Sequence, residues 1–150
     1  MSDLKATLRG AHSNDLPAIE RLLSMHRLPL VGVREGIAGF MVAEEDGALA
    51  GVIGLEVRGG YGLLRSAAVA PDHQGKGVGR ALVARVLAEA RVRKLKAVYL
   101  LTTTAEGYFP VFGFAVTDRA AAPKEMQTTA EFAGACDATA VAMVLTLSGE

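Results

Sequence analysis

Hydrophobic and polar positions change their period several times along the chain, and each change marks an element. Ala6-Thr-Leu-Arg9 suits a short strand. Ser13-Asn-Asp-Leu-Pro17 places capping residues and an early proline ahead of Ile19, Leu22, Leu23 and Met25, which predicts a helix ending before Pro29. Residues 40–44 and 49–57 read as strands joined at a turn containing Asp46-Gly47, and Gly59-Gly60 turns the chain again into residues 62–70. Val78, Leu82, Val83, Val86, Leu87 and Ala90 then recur at helical spacing, with Arg80, Arg85, Glu89 and Arg93 on the opposite face. Ala97-Val-Tyr-Leu-Leu101 is a short apolar run of the kind a buried strand carries. A short helix over 105–111 and strands at 114–116 and 139–147 complete the pattern.

Strand, helix and strand in that order make a βαβ crossover with parallel strands, whereas the earlier strands pair as hairpins. The fold class is therefore α/β (α+β): a mixed, mostly antiparallel sheet with a central βαβ crossover and helices on both faces. At 150 residues the chain reads as a single domain, 1–150. Sixteen basic and sixteen acidic residues cancel, and no basic face is visible, so no nucleic-acid partner is expected. No apolar stretch reaches the ~18 residues of a membrane helix, and Met1-Ser-Asp-Leu-Lys5 leads into no signal-peptide core, so no membrane association is expected. The single cysteine, Cys136, cannot form an intrachain disulfide and fits a reducing, cytoplasmic setting. One thiol makes no multi-thiolate site, and no metal site is expected; Cys136 reads as a small apolar residue.

Chemistry enters at Pro71-Asp-His-Gln-Gly-Lys-Gly-Val-Gly-Arg80, where glycines alternate just ahead of the amphipathic helix. Glycines between a strand and a helix let backbone N–H groups converge on an anion at the helix's positive end. A dinucleotide fingerprint starting at Gly75 would need glycine where Arg80 stands, and no P-loop run exists. The alternative to an anion site is a tight strand-to-helix turn without a ligand.

Gln74-Gly-Lys-Gly-Val-Gly79 resembles the acetyl-CoA loop of the GCN5-related N-acetyltransferases (GNAT), and the strand ending Ala68-Val-Ala-Pro71 precedes it as in that family. Ala105 and Phe112-Gly-Phe114 are similar to the family's short helix and Gly-Phe turn. The resemblance implies a GNAT-like sheet, with acetyl-CoA as cosubstrate. It implies that the backbone of Gln74, Gly75, Lys76, Gly77, Val78 and Gly79 binds the coenzyme A pyrophosphate. It further implies that Ala68 and Val69 pair with the pantetheine arm like an added strand. Lys76 and Arg80 would add charge for the phosphates, or are simply solvated.

Acetyl transfer needs a deprotonated amine, a stabilised oxyanion and a proton for the departing thiolate. Many family members carry a tyrosine four residues before the Gly of the Gly-Phe turn; here that residue is Phe109, and Tyr108 lies one earlier. Tyr108 is the candidate acid, against a packing role. Thr102 stands where the family's asparagine begins this segment and would bond the pantetheine or a water. Glu56 is the best carboxylate for a base acting through water, against an ordinary strand-face glutamate. Arg65 interrupts an apolar strand and, by the two-residue period, shares a side with Ala67 and Val69. Its planar fork suits a substrate carboxylate, against a pairing with a surface acid.

Residues 65–69, 100–109 and 129–136 are similar to N-acetyltransferases associated with arsenic resistance, and through them to N-acetylglutamate synthase domains. That resemblance implies a small-molecule amine substrate: a small acidic amino acid, or a glutamate-like compound with a phosphinic or arsinic head. The alternatives are another amine, such as a polyamine or a protein N-terminus, and a non-catalytic CoA-binding module. Family habit further implies a homodimer formed by strand exchange or edge pairing at the last strand.

Overall fold

The computed structural model of the chain describes residues 5–103, 105–135 and 138–147, so Cys136 lies outside the described residues. Among those residues the strands are β1 (Thr7–Gly10), β2 (Phe40–Glu45), β3 (Ala48–Arg58), β4 (Tyr61–Val69), β5 (Ala97–Thr102), β6 (Ala115–Thr117) and β7 (Val141–Thr146). They form one sheet in the order β1-β2-β3-β4-β5-β7-β6. The helices are α1 (Leu16–Met25), α2 (Val78–Val92) and the single turn α3 (Lys124–Gln127).

The pairing follows the connections. β1 with β2, β2 with β3, β5 with β7 and β7 with β6 are antiparallel. The two-residue Gly59-Gly60 turn leaves β3 and β4 no other orientation. Tyr61, Gly62 and Leu63 of β4 run parallel to Ala97, Val98 and Tyr99 of β5, with α2 as the crossover between them. The sheet is thus mixed and mostly antiparallel, as the periodicity predicts.

Two expectations need correction. The last strand offers no free edge along Ala142–Val144, because β7 is bonded to β5 on one side and to β6 on the other. The outer strands are β1 and β6. The second correction concerns residues 118–135, which the periodicity leaves without elements. They hold a 3₁₀ turn at Arg119–Ala121, then α3, then a π-type turn at Glu131–Ala135. Each is too short to show a 3.6-residue repeat. Likewise, the short helix expected over 105–111 is realised as a turn followed by 3₁₀ residues Phe109–Phe112.

The chain divides into two compact units, Met1–Leu55 with Ser66–Leu87, and Glu56–Arg65 with Ala88–Glu150. In the first, Leu16, Ile19, Leu22 and Leu23 of α1 form a buried cluster with Val33, Phe40, Val42, Val52 and Ala68. Gly51, the neighbour of Val52, faces α2: a Cβ there would lie 2.9 Å from Val78 Cγ1 and 3.0 Å from Leu82 Cδ1. Successive strand residues point to opposite faces, so α1 and α2 cover opposite sides of β3. In the second unit, Leu63, Ala122, Met126 and Phe132 cluster beneath Tyr61, Tyr99 and Leu101. Tyr99 meets Tyr61 and Phe132 edge to face, at centroid distances of 6.3 and 6.4 Å. Met126 is fully buried and contributes roughly 2 kcal/mol of apolar transfer energy to seating α3.

Candidate active site

The glycine loop belongs to the first unit, and its position is set by β3 and β4. Ala43 pairs with Gly51 and Glu44 with Leu49, which leaves Ala50 as an extra residue in β3. A bulge of this kind frees a carbonyl from the ladder. The Ala50 carbonyl accepts instead from the Ala70 N–H at 2.8 Å, which fixes the end of β4. A 3₁₀ turn at Pro71–His73 follows, then the turn residues 74–77, then α2. Gly75 and Gly77 have φ of +79° and +87°, the left-handed region that side chains avoid. A Cβ at either would meet nothing within 4 Å. The glycines are therefore demanded by backbone shape, and the space beside them is open, as an approaching phosphate requires.

The first-turn N–H groups of α2 have no acceptor within the helix, so they and the open glycine backbone fit a pyrophosphate. Gln74 does not reach outward: its Nε2 donates to the Val69 carbonyl at 3.2 Å and ties the loop back to β4. Lys76 and Arg80 are exposed, Val78 is buried beneath them, and Gly79 is half-buried. Ala68 is buried and Val69 half-buried. His73, just ahead of the loop, places Nε2 3.5 Å from Glu45 Oε1, and its buried Nδ1 has no hydrogen-bond partner among the described residues.

In the second unit the charged candidates converge. Arg58, Glu56, Arg65 and Glu131 form a ladder of alternating charge. Arg58 Nη2 donates to Glu56 Oε2 at 2.7 Å, and Arg58 Nη1 to Thr128 Oγ1 at 3.3 Å. Glu56 Oε1 lies 3.6 Å from Arg65 Nη1, and Arg65 Nε lies 3.5 Å from Glu131 Oε2. Side-chain exposure falls along it, from 43% at Arg58 through 24% at Glu56 to 3% and 4% at Arg65 and Glu131. Arg65 is thus neither an open clamp nor a strand-edge arginine on a surface acid. It is buried, with a carboxylate on each side.

The expectation that Arg65, Ala67 and Val69 share one side is interrupted at Ser66, whose φ of +58° breaks the extended backbone of β4. Residues 62–66 are buried in succession, and Ala67 is exposed. A left-handed non-glycine residue inside a strand costs about 1–3 kcal/mol and marks a site where the surroundings impose the geometry.

Sequence reasoning missed Glu131, and Arg58 as the partner of Glu56. The available signal was a lone glutamate among small and apolar residues in Thr129-Ala-Glu-Phe-Ala-Gly134, since a charge inside such a run is a candidate for burial. Thr102 and Tyr108 lie further along the same unit. The Thr102 hydroxyl oxygen accepts from the Ala105 N–H at 2.9 Å, capping the turn that follows β5. Phe109 is buried while Tyr108 is 40% exposed, its ring edge to face with Phe109 and Phe112 at 5.2 and 5.3 Å. The two neighbours point apart, as the helical turn dictates.

Comparison with known proteins bears on the family and the fold. The acetyltransferase (GNAT) family pattern matches residues 9–114. An amino-acid acetyltransferase of Mycobacterium tuberculosis (strain ATCC 25618 / H37Rv) is 34% identical over 122 residues, 75% of this chain and 70% of that protein. An amino-acid acetyltransferase of Ralstonia nicotianae is 41% identical over 80 residues, 52% of this chain but 18% of that protein. Among solved structures, N-acetylglutamate synthase from Neisseria gonorrhoeae, complexed with coenzyme A and N-acetyl-glutamate, superposes with a TM-score of 0.83 at 24% identity. That match covers 98% of this chain and 36% of the synthase, and it speaks for the fold. A Mycobacterium tuberculosis protein in complex with CoA superposes with a TM-score of 0.81 at 28% identity, covering 95% of this chain and 99% of that one. The family match spans β2 to β5 with the crossover helix and the glycine loop, over two thirds of the chain, and on that ground the chain belongs to the GNAT family of acetyltransferases.

Proposed function

We propose that the chain transfers an acetyl group from acetyl-CoA to the amine of a small acidic amino acid, glutamate or a glutamate-like compound. The observation that carries the acceptor is the Glu56–Arg65 pair. An α-amino acid presents a carboxylate and an ammonium group side by side, the complement of a guanidinium and a carboxylate 3.6 Å apart. The substrate carboxylate takes the place of Glu56 on Arg65, and Glu56, acting through water, receives the proton of the ammonium group. The relatives named amino-acid acetyltransferases support an amino-acid acceptor. A phosphinic or arsinic head presents an anion to the same guanidinium, which extends the reading to glutamate mimics.

For the cosubstrate, the backbone from Gln74 to Gly79 holds the pyrophosphate, with Lys76 and Arg80 adding charge. Ala68 and Val69 offer strand edge to the pantetheine arm, and Thr102 lies at the end of β5 as a further polar contact. Acetyl-CoA supplies the activated acyl group. Tyr108 gives the proton that the thiolate needs.

Steady-state kinetics of Arg65→Lys test the acceptor reading, because lysine keeps the charge beside Glu131 and loses the fork. The KM for L-glutamate rises about tenfold while the KM for acetyl-CoA stays put. Equal changes in both would contradict it.

A further inference from the structure

We infer that Glu131 is a positioning residue for Arg65: it holds the guanidinium from the buried side, so that an incoming acceptor carboxylate displaces Glu56 and leaves Glu131 in place. The inference rests on the reading of Arg65 as carboxylate receptor and adds what holds the guanidinium once Glu56 gives way.

The two differ in what they lose by leaving. Glu56 is a quarter exposed and has Arg58 at 2.7 Å on its other oxygen, so on release from Arg65 it keeps a cation and water. Glu131 is 4% exposed, and withdrawing a buried carboxylate from its counter-charge is strongly destabilising. Its segment is also pinned. The buried Thr129 hydroxyl donates to the Met126 carbonyl at 2.6 Å and accepts from the Phe132 N–H at 3.4 Å. Arg119 Nη2 donates to the Glu131 and Phe132 carbonyls, each at 3.4 Å, with its guanidinium 6.0 Å from the Phe132 ring centroid. The 3.5 and 3.6 Å contacts between Arg65 and the two glutamates are longer than the ~2.8 Å of a tight guanidinium–carboxylate bond. Neutralising Glu131 leaves Glu56 balancing more of the Arg65 charge. Glu56 is then held harder, and the acceptor must compete with it.

The test is a double-mutant cycle of Glu131→Gln and Arg65→Gln in the full chain, read as KM for L-glutamate, KM for acetyl-CoA and melting temperature. Glu131→Gln, nearly isosteric, raises the KM for glutamate about tenfold with the KM for acetyl-CoA unchanged, lowers the melting temperature because the buried Arg65 loses a counter-charge, and adds nothing to the glutamate KM once Arg65 is Gln. Glu131→Asp, which retains the charge, recovers most of the loss. An unchanged or lowered glutamate KM in Glu131→Gln, beside a raised one in Arg65→Gln, overturns the inference and leaves the acceptor reading standing. Losses that multiply in the double variant, or both KM values and the melting temperature moving together, overturn it too. An unchanged glutamate KM in Arg65→Gln overturns the acceptor reading and this inference with it. If Arg65→Gln does not fold, Arg65→Met, which also removes the charge, takes its corner of the cycle, and the same outcomes decide.

Discussion

At the scale of single residues, backbone sign separates loop from side-chain chemistry. Gly77 sits at φ +87° with open space where a Cβ would be. Gly77→Ala therefore costs conformation and not a clash, about 1 kcal/mol of stability, measurable as a lowered melting temperature. Gly77→Asp adds a negative charge where the pyrophosphate is to bind, and raises the KM for acetyl-CoA at least tenfold, roughly, with the glutamate KM little changed. Tyr108→Phe keeps both ring contacts and removes only the hydroxyl. If Tyr108 is the acid, kcat falls by about 10²-fold with both KM values preserved. An unchanged kcat would assign the proton to solvent.

At the scale of elements, α2 depends on a missing side chain. Gly51 lets Val78 and Leu82 seat on β3, and a Cβ would also stand 3.2 Å from the Ala68 carbonyl. Gly51→Val pushes the start of α2 away, so melting temperature and acetyl-CoA affinity fall together, in contrast to Gly77→Asp.

A second tie joins β1 to the chain ahead of α1 and to β2. Arg9 donates to both oxygens of Asp15 at 2.9 Å and to Glu44 at 2.8 Å. The Arg9 guanidinium, followed by the His12 N–H against opposing desolvation, holds the Asp15 carboxyl down at about 2, from an ordinary 3.8. A folded pKa below the unfolded one gives stability that is present above pH 3.8 and lost as pH falls towards 2. Arg9 is a third exposed, so after solvent screening the pair contributes about 1 kcal/mol at neutral pH. Thermal melts of Asp15→Asn lie below the parent at neutral pH, and the gap closes between pH 4 and 2, roughly.

At the scale of the whole molecule, what was legible in the sequence is what depends on near neighbours. The hairpin turns, the amphipathic α2 and the glycine loop each write their physics within about ten residues, as period, turn chemistry or backbone freedom. The cluster around Arg65 does not. Glu131 reaches it from a π-type turn with no periodic signature, and the Ser66 backbone undoes the strand alternation that would place Arg65 beside Ala67. Thr102 and Tyr108 were found through family likeness, but that Thr102 caps a turn and that Tyr108 packs at the edges of two phenylalanines follows only from tertiary contacts.

The most direct measurement of the central claim is thiol release from acetyl-CoA in parallel reactions with L-glutamate, a phosphinic glutamate analogue, spermidine and no acceptor. The account predicts turnover with the two acidic amino acids well above the acceptor-free rate, and none with spermidine. Turnover with spermidine alone would contradict Arg65 as the carboxylate receptor, and no turnover above background with any acceptor, despite CoA binding, would contradict the proposed reaction itself.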